Sequence, residues 1–195
     1  MTNESPADGL SAIINQIKDQ RHPPVHLWNP DYCGELDIRI ARDGTWFYMG
    51  SPIGRKPLVK LFSSVLRYDE DGKFYLVTPV EKIGIQVDDA PLVAVEMFKE
   101  GEGKDQVLSF RTHVDDFVIV DEDHPLRLTI DPENNEPSPY VTIRSNLEAL
   151  IVRSVFYDLV ELAEEEQVDG QQRFGVWSSG RFFDFGSVND VFEKQ

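Results

Sequence analysis

Apolar positions along this chain recur in two rhythms. Leu36, Ile38 and Ile40 are separated by Asp37 and Arg39, the period of two expected of a half-buried strand. Asp43-Gly44 follows, and Thr45-Trp46-Phe47-Tyr48-Met49 resumes the run. An Asp-Gly pair between such runs predicts a hairpin, which Ser51-Pro52 closes. Leu58, Leu61, Phe62 and Val65 then fall at helical spacing. A helix is predicted from Lys56-Pro57 to about Leu66, with proline in its first turn, where its missing N–H costs nothing. Phe74 to Thr78 and Ile83 to Val87 predict a second hairpin around Pro79.

Beyond this point, Leu92 to Phe98 and Val107 to Arg111 read as strands flanking a Gly-rich turn, and Leu126 to Ile130 as another. Residues 131–139 hold three prolines in nine positions and read as a loop. The longest helix is predicted from Asn146, its N-cap, to Glu164. Arg173 to Trp177 and Arg181 to Phe185 form a closing hairpin through Ser178-Ser179-Gly180. At the other end, Leu10, Ile13, Ile14 and Ile17 predict a short helix over residues 7–20. A proline-rich linker, residues 21–30, is expected to pack Val25, Leu27 and Trp28 onto a neighbouring lobe.

The order strand, helix, hairpin occurs twice, in residues 46–87 and 140–186. Lys73 to Val87 aligns without gaps on Gln172 to Gly186, and Leu58, Leu61, Phe62 and Val65 fall opposite Val152, Val155, Phe156 and Leu159. The reading is an α+β fold of two lobes from an internal duplication, with antiparallel sheets each covered by an amphipathic helix. Residues 1–30 form an N-terminal helix and linker, 31–100 a first lobe and 101–195 a second. A duplicated unit brings a seam between its copies, a place where ligands bind.

Charge narrows the partners. The chain has 19 basic and 35 acidic residues, for a net charge of −16. Such a field repels nucleic acid, whose binding draws on Lys and Arg contacts to phosphate, and disfavours anionic membranes. The N-terminal residues lack the basic and apolar blocks of a signal peptide. Cys33 is the single cysteine, so no intramolecular disulfide forms. Cytoplasm is the expected compartment, with no nucleic-acid or membrane partner.

The motifs carry little chemistry. Gly50 to Lys56 reads either as a plain turn and helix cap or as an anion cradle, since its spacing is not that of a phosphate loop. His22 and His26 are four apart, but Pro23 and Pro24 between them preclude the helix that would make them metal ligands. Ser178 and Ser179 sit in a hairpin turn rather than a nucleophile elbow, and Cys33 has no assignable histidine partner. No catalytic residue, metal or cofactor is predicted. The better lead is basic: Arg55 and Lys56 enter the first helix, Arg144 precedes the second, and Arg153 lies within it beside Ile151, Val152 and Val155. Arg153 reads as a buried ion pair with Glu148 or Asp158, or as a ligand contact. Trp46 and Trp177 lie on strands of separate units and read as core or as base-stacking rings.

Certain runs are familiar. Asp43-Gly44-Thr45-Trp46, Gly50-Ser51-Pro52-Ile53 with Arg55, Tyr75-Leu76-Val77-Thr78-Pro79 with Glu81, His124-Pro125, Tyr140 with Arg144, and Trp177-Ser178 with Gly180 together resemble the bacterial domain-of-unknown-function family 1285 over nearly the whole chain. Tyr48 stands where the family pattern has a histidine before the methionine-glycine step, so no role is carried to that position. The resemblance implies a duplicated α+β core, a C-terminal lobe similar to pleckstrin-homology-like folds, a nucleotide-like ligand site at the lobe interface, and a part in bacterial signalling. Of the residues that match the family's motifs, Arg55, Glu81, Arg144, Arg153 and Trp177 are expected to line such a seam, an inference of placement rather than a family property, with Lys56 beside Arg55. The expected function is a non-catalytic regulatory module that binds a small anionic ligand and signals to a partner protein. The alternatives are an interaction scaffold without a ligand and, third, a hydrolase.

Overall fold

The computed structural model describes residues 22–187, and the helix expected over residues 7–20 lies outside them. Contacts divide the chain into two units between Pro91 and Leu92. The first holds β1 (Tyr32–Ile40), β2 (Trp46–Tyr48), β3 (Ser51–Pro52), α1 (Lys56–Ser64), β4 (Leu66–Tyr68), β5 (Phe74–Val77) and β6 (Lys82–Val87). The second holds β7 (Leu92–Glu100), β8 (Val107–Thr112), β9 (Phe117–Ile119), β10 (Leu126–Ile130), β11 (Pro137–Arg144), β12 (Leu147–Ile151), α2 (Arg153–Glu161), β13 (Glu164–Val168), β14 (Gln171–Ser178) and β15 (Arg181–Gly186). The described residues are mostly β, with two α-helices of nine residues each.

The first unit is a six-stranded sheet in the order β3-β2-β1-β6-β5-β4. Its β1–β2 hairpin falls at Asp43-Gly44 as predicted. The Thr45 amide donates to Asp43 Oδ1 at 2.9 Å, and Gly44 takes a φ of +84°, a conformation that costs glycine little. On α1, Phe62 is fully buried and stacks on Trp46 with ring centroids 6.1 Å apart. An aromatic pair of this kind adds about 0.5–1.5 kcal/mol beyond its buried area. The Ser63 and Ser64 hydroxyls donate back to the Lys60 and Leu61 carbonyls, competing with the helix ladder at its last turn. The preceding linker is tied down by Arg67, which donates to the Val25 and Trp28 carbonyls at 3.2 and 2.7 Å. Leu27, expected to pack, is instead 72% exposed.

The second sheet runs β10-β11-β12-β7-β8-β9. Read from its other end, this is the order of the first sheet, strand for strand. The pairings agree in direction too: β1 and β6 are parallel, as are β7 and β12, and every other neighbour is antiparallel. Each unit is thus two antiparallel meanders joined by a parallel pair between its first and last strands. The expected all-antiparallel sheets are mixed at their centres, because hairpin signals report only neighbours in sequence. The duplication extends to residues. Leu66 and Arg67 pair with Leu76 and Tyr75, and Leu126 and Arg127 pair with Val141 and Tyr140.

This register differs from the repeat read between residues 46–87 and 140–186. That alignment equated α1, which lies between β3 and β4, with α2, which follows β12. It equated the β5–β6 hairpin of the first sheet with β14–β15, which with β13 form a separate three-stranded sheet. The helix predicted from Asn146 is also corrected: residues 147–151 are the strand β12, whose burial alternates through Leu147, Ala149 and Ile151. Val152 at φ −63° and ψ 152° separates it from α2. The expected loop over 131–139 ends early, because Pro137 and Pro139 belong to β11 and pair with Ile130 and Leu128. Pairing with β12 begins only at Tyr140, so no ladder on that side demands the missing N–H groups.

The three-stranded sheet is fastened to the second unit by polar contacts. The fully buried Ser178 hydroxyl donates to the Val120 carbonyl at 2.7 Å and accepts from the Leu108 amide at 3.0 Å. Gln106 Nε2 donates to the Trp177 carbonyl at 2.8 Å.

Candidate functional site

The central parallel pair of the second unit is closed. Leu92, Val93 and Ala94 lie opposite Ala149, Leu150 and Ile151 without interruption. The corresponding pair of the first unit is irregular. There Tyr32 to Ile40 spans nine residues of β1 against six of β6, with register shifts on both sides of Glu35. The surplus residues are taken up in bulges, which interrupt the regular ladder. Gly34, at φ +104°, lies at the first shift, where a side chain would strain the backbone. Between the strands lies a cleft of about 640 Å³, lined by residues 35–38, 72–74 and 84–87. Gly84 is central to it: a Cβ there would stand 3.2 Å from Glu35 Cγ and 3.5 Å from the Tyr32 hydroxyl.

The ionic groups around the cleft fall into two sets. Some are paired: Arg39 makes a two-pronged contact with Asp88, and Lys82 Nζ lies 2.6 Å from Asp69 Oδ2 and 4.0 Å from the Tyr75 ring centroid. The Arg39 hydrogen bond holds Asp88 below the usual carboxylate range. For Asp69, burial works against ionisation, but hydrogen bonds from Arg67 and Lys82 prevail and lower its pKa. Tyr75 donates to Asp71 at 2.5 Å, which with burial pushes its pKa up to about 12. The second set lines the cleft itself. Glu35, Asp37 and Lys73 carry side-chain charges with no ion pair among the described residues.

The six residues singled out from sequence are distributed differently. Arg55 takes an extended conformation just before α1, and Lys56 opens it; both are exposed. Glu81 sits in the β5–β6 turn, its Oε2 buried without a hydrogen-bond partner among the described residues. Arg144 ends β11 and is paired with Asp116. Arg153 is not buried: it is 70% exposed and bonds Glu136 at 3.0 Å, neither Glu148 nor Asp158. Glu148 holds Arg127 instead. Trp177 packs on Phe182, with ring centroids 5.5 Å apart, beneath the Lys104 ammonium. Within each unit, no hydrogen bond, ion pair or ring contact joins any two of the six among the described residues.

None of the six lines the β1–β6 cleft. The signal for the cleft was glycine. Gly34 and Gly84 interrupt two strands, and an isolated strand glycine marks a bulge or a close approach.

Residues 23–90 match the domain of unknown function DUF1285, N-terminal domain, and residues 91–185 match the protein of unknown function DUF1285, C-terminal domain. The chain belongs to the DUF1285 family. It is similar to a DUF1285 family protein from Silicibacter pomeroyi DSS-3, solved by crystallography at 2.50 Å. Identity is 54%, the TM-score is 0.86, and the match covers 94% of this chain and 97% of that one. A DUF1285 family protein from Shewanella baltica OS155, solved at 1.40 Å, is 26% identical with a TM-score of 0.51, over 65% of this chain and 91% of that one. No curated protein matches. The boundary between the two DUF1285 matches falls within one residue of the division of contacts between Pro91 and Leu92. No helix among the described residues is long and apolar enough to cross a membrane.

Proposed function

We propose that this DUF1285 protein is a non-catalytic binding module whose first unit holds a small guest in the cleft between β1 and β6. One observation carries the reading. The same sheet is built twice, and its central parallel pair is continuous in the second unit but broken by register shifts in the first. The cleft beside the shifted stretch holds about 640 Å³, within the range of about 300–1,000 Å³ usual for small-molecule sites. The non-catalytic part rests on Ser178, whose hydroxyl is committed to Val120 and Leu108 and so is not poised as a nucleophile. Screening a fragment library against the ¹⁵N-labelled protein tests the reading. Shifts gathered at residues 35–38 and 84–87 support it, and shifts elsewhere or none at all count against it.

The expected anionic, nucleotide-like ligand of a regulatory protein is the second reading. Arg55 and Lys56 favour it, as exposed cations without an ion pair among the described residues. Arg144 and Arg153 favour it less, because Asp116 and Glu136 already engage them. Titration with a nucleotide panel, compared between the native chain and Arg55→Ala, separates this reading from the first. A signalling partner belongs to the same proposal, and the exposed rings of Phe98 and Phe117, 5.8 Å apart, support a surface for it. The pleckstrin-homology-like reading of the second unit is likewise proposed, supported by α2 following a six-stranded sheet and packing on β7. A cytoplasmic setting is proposed on the exposed free thiol of Cys33, which suits a reducing compartment.

A further inference from the structure

The charges in the cleft indicate what kind of guest it holds; this inference rests on the binding reading above. Glu35 and Asp37 lie two apart on β1, so alternation gives them a common face. Lys73 comes from another wall, at the head of β5. Its charge is opposite, yet it makes no ion pair with either carboxylate, although Arg39 and Lys82 nearby have both found partners. Gly84 lets the Glu35 side chain pack against its backbone, and Leu36 and Ile85, both half-buried, add apolar surface to the lining. A cleft with anionic and cationic walls that do not reach each other is complementary to a molecule carrying both charges. A plain anion would meet two carboxylates, and a plain cation would leave Lys73 unanswered.

We propose that the β1–β6 cleft takes a small zwitterion with an aliphatic middle, its ammonium against Glu35 and Asp37 and its carboxylate against Lys73. Amino acids and short peptides with free ends have this chemistry. Ionic contacts at both ends set orientation, and the aliphatic part supplies the buried area.

Calorimetric titration of the full chain with leucine and leucyl-leucine tests the proposal, each probe alongside its N-acetylated and its C-amidated form. The zwitterion is expected to bind about tenfold more tightly than either singly charged form, the scale of one charge-assisted contact. Lys73→Met should abolish the preference over the amide. Asp37→Asn combined with Glu35→Gln should abolish the preference over the acetylated form. These exposed positions leave the fold intact, which circular dichroism checks. Equal binding of the amide and the zwitterion would overturn the proposal in favour of a simple cation while leaving the cleft a binding site. Binding unchanged in both variants would overturn it by placing the zwitterion elsewhere. Silence from every probe, with fragment shifts still mapped to the cleft, would overturn the zwitterion alone; silence in both would remove the binding reading as well.

Discussion

Arg127 lies directly across the β10–β11 ladder from Tyr140, its guanidinium carbon 4.3 Å from the ring centroid. At the matching place in the first unit Arg67 lies across from Tyr75, and the cation over that ring is Lys82. The duplicated sheets have kept the tyrosine and a cation over it while exchanging the strand that supplies the charge. In the second unit Glu148 holds Arg127 by two hydrogen bonds, of 2.9 and 2.6 Å. In the first, Asp69 bridges Arg67 and Lys82.

A double-mutant cycle with Arg127→Met and Glu148→Gln should therefore give a coupling of about 0.5–1 kcal/mol, the upper part of the range for partly exposed pairs. Chemical denaturation of the four proteins measures it. Zero coupling would show that the two-pronged pair only decorates the ladder.

Ser178→Ala strips the Leu108 amide of its acceptor, while Ser179 still donates to the Val120 carbonyl at 2.9 Å. A buried donor left unpaired costs about 1–3 kcal/mol, so the midpoint of thermal unfolding should fall. The substitution also separates this structural role from the hydrolase alternative. Loss of a hydrolytic activity with stability intact would contradict the structural role given to Ser178.

Gly175 lies where β14 bulges against β15. A Cβ there would come within 2.2 Å of the Phe183 carbonyl oxygen, and backbone cannot step aside as a flexible side chain can. Gly175→Ala should destabilise by about 2–3 kcal/mol, near the top of the usual range for overpacking. Scanning calorimetry would show it, and an unchanged transition would contradict the packing described.

Stability should also decline in alkali. Tyr75 in the folded state titrates at about 12, raised by its hydrogen bond to Asp71, against about 10 in an unfolded chain. A group raised on folding contributes fully below its unfolded pKa and loses that contribution as pH climbs through the folded one. The window is thus about pH 10 to 12. Asp71 is lowered by the same bond, so its contribution is lost at the acid end, as pH falls through its depressed folded pKa. Tyr75→Phe should remove the alkaline component seen in tyrosinate absorbance and denaturation, and Asp71→Asn should shift it downward.

What sequence revealed of this fold was local. Asp43-Gly44 located a hairpin, Lys56-Pro57 the start of α1, and Leu126 to Ile130 a strand with the bounds it has in the structure. The parallel pairs were hidden, because Tyr32 meets Lys82 and Leu92 meets Ala149 across some fifty residues and no periodicity encodes such partners. Residues 147–151 are mostly good helix formers and run straight into the helical spacing of Val155, Phe156 and Leu159. Burial of alternate residues against their neighbours overrode propensity there. Site residues chosen for charge failed for a related reason. Arg144 and Arg153 had carboxylate partners in loops, Asp116 and Glu136, that sequence did not point to, whereas Glu35, Asp37 and Lys73, ordinary in sequence, make no ion pair among the described residues.

Hydrogen exchange resolved to single amides tests the central claim most directly, that one parallel pair is broken by register shifts and its duplicate is continuous. Amides of residues 36–38 should exchange at least about tenfold faster than those of residues 149–151, since ladder hydrogen bonds confer protection. A guest in the cleft should slow the first set and leave the second unchanged. Equal protection of both sets in the free protein would contradict the account.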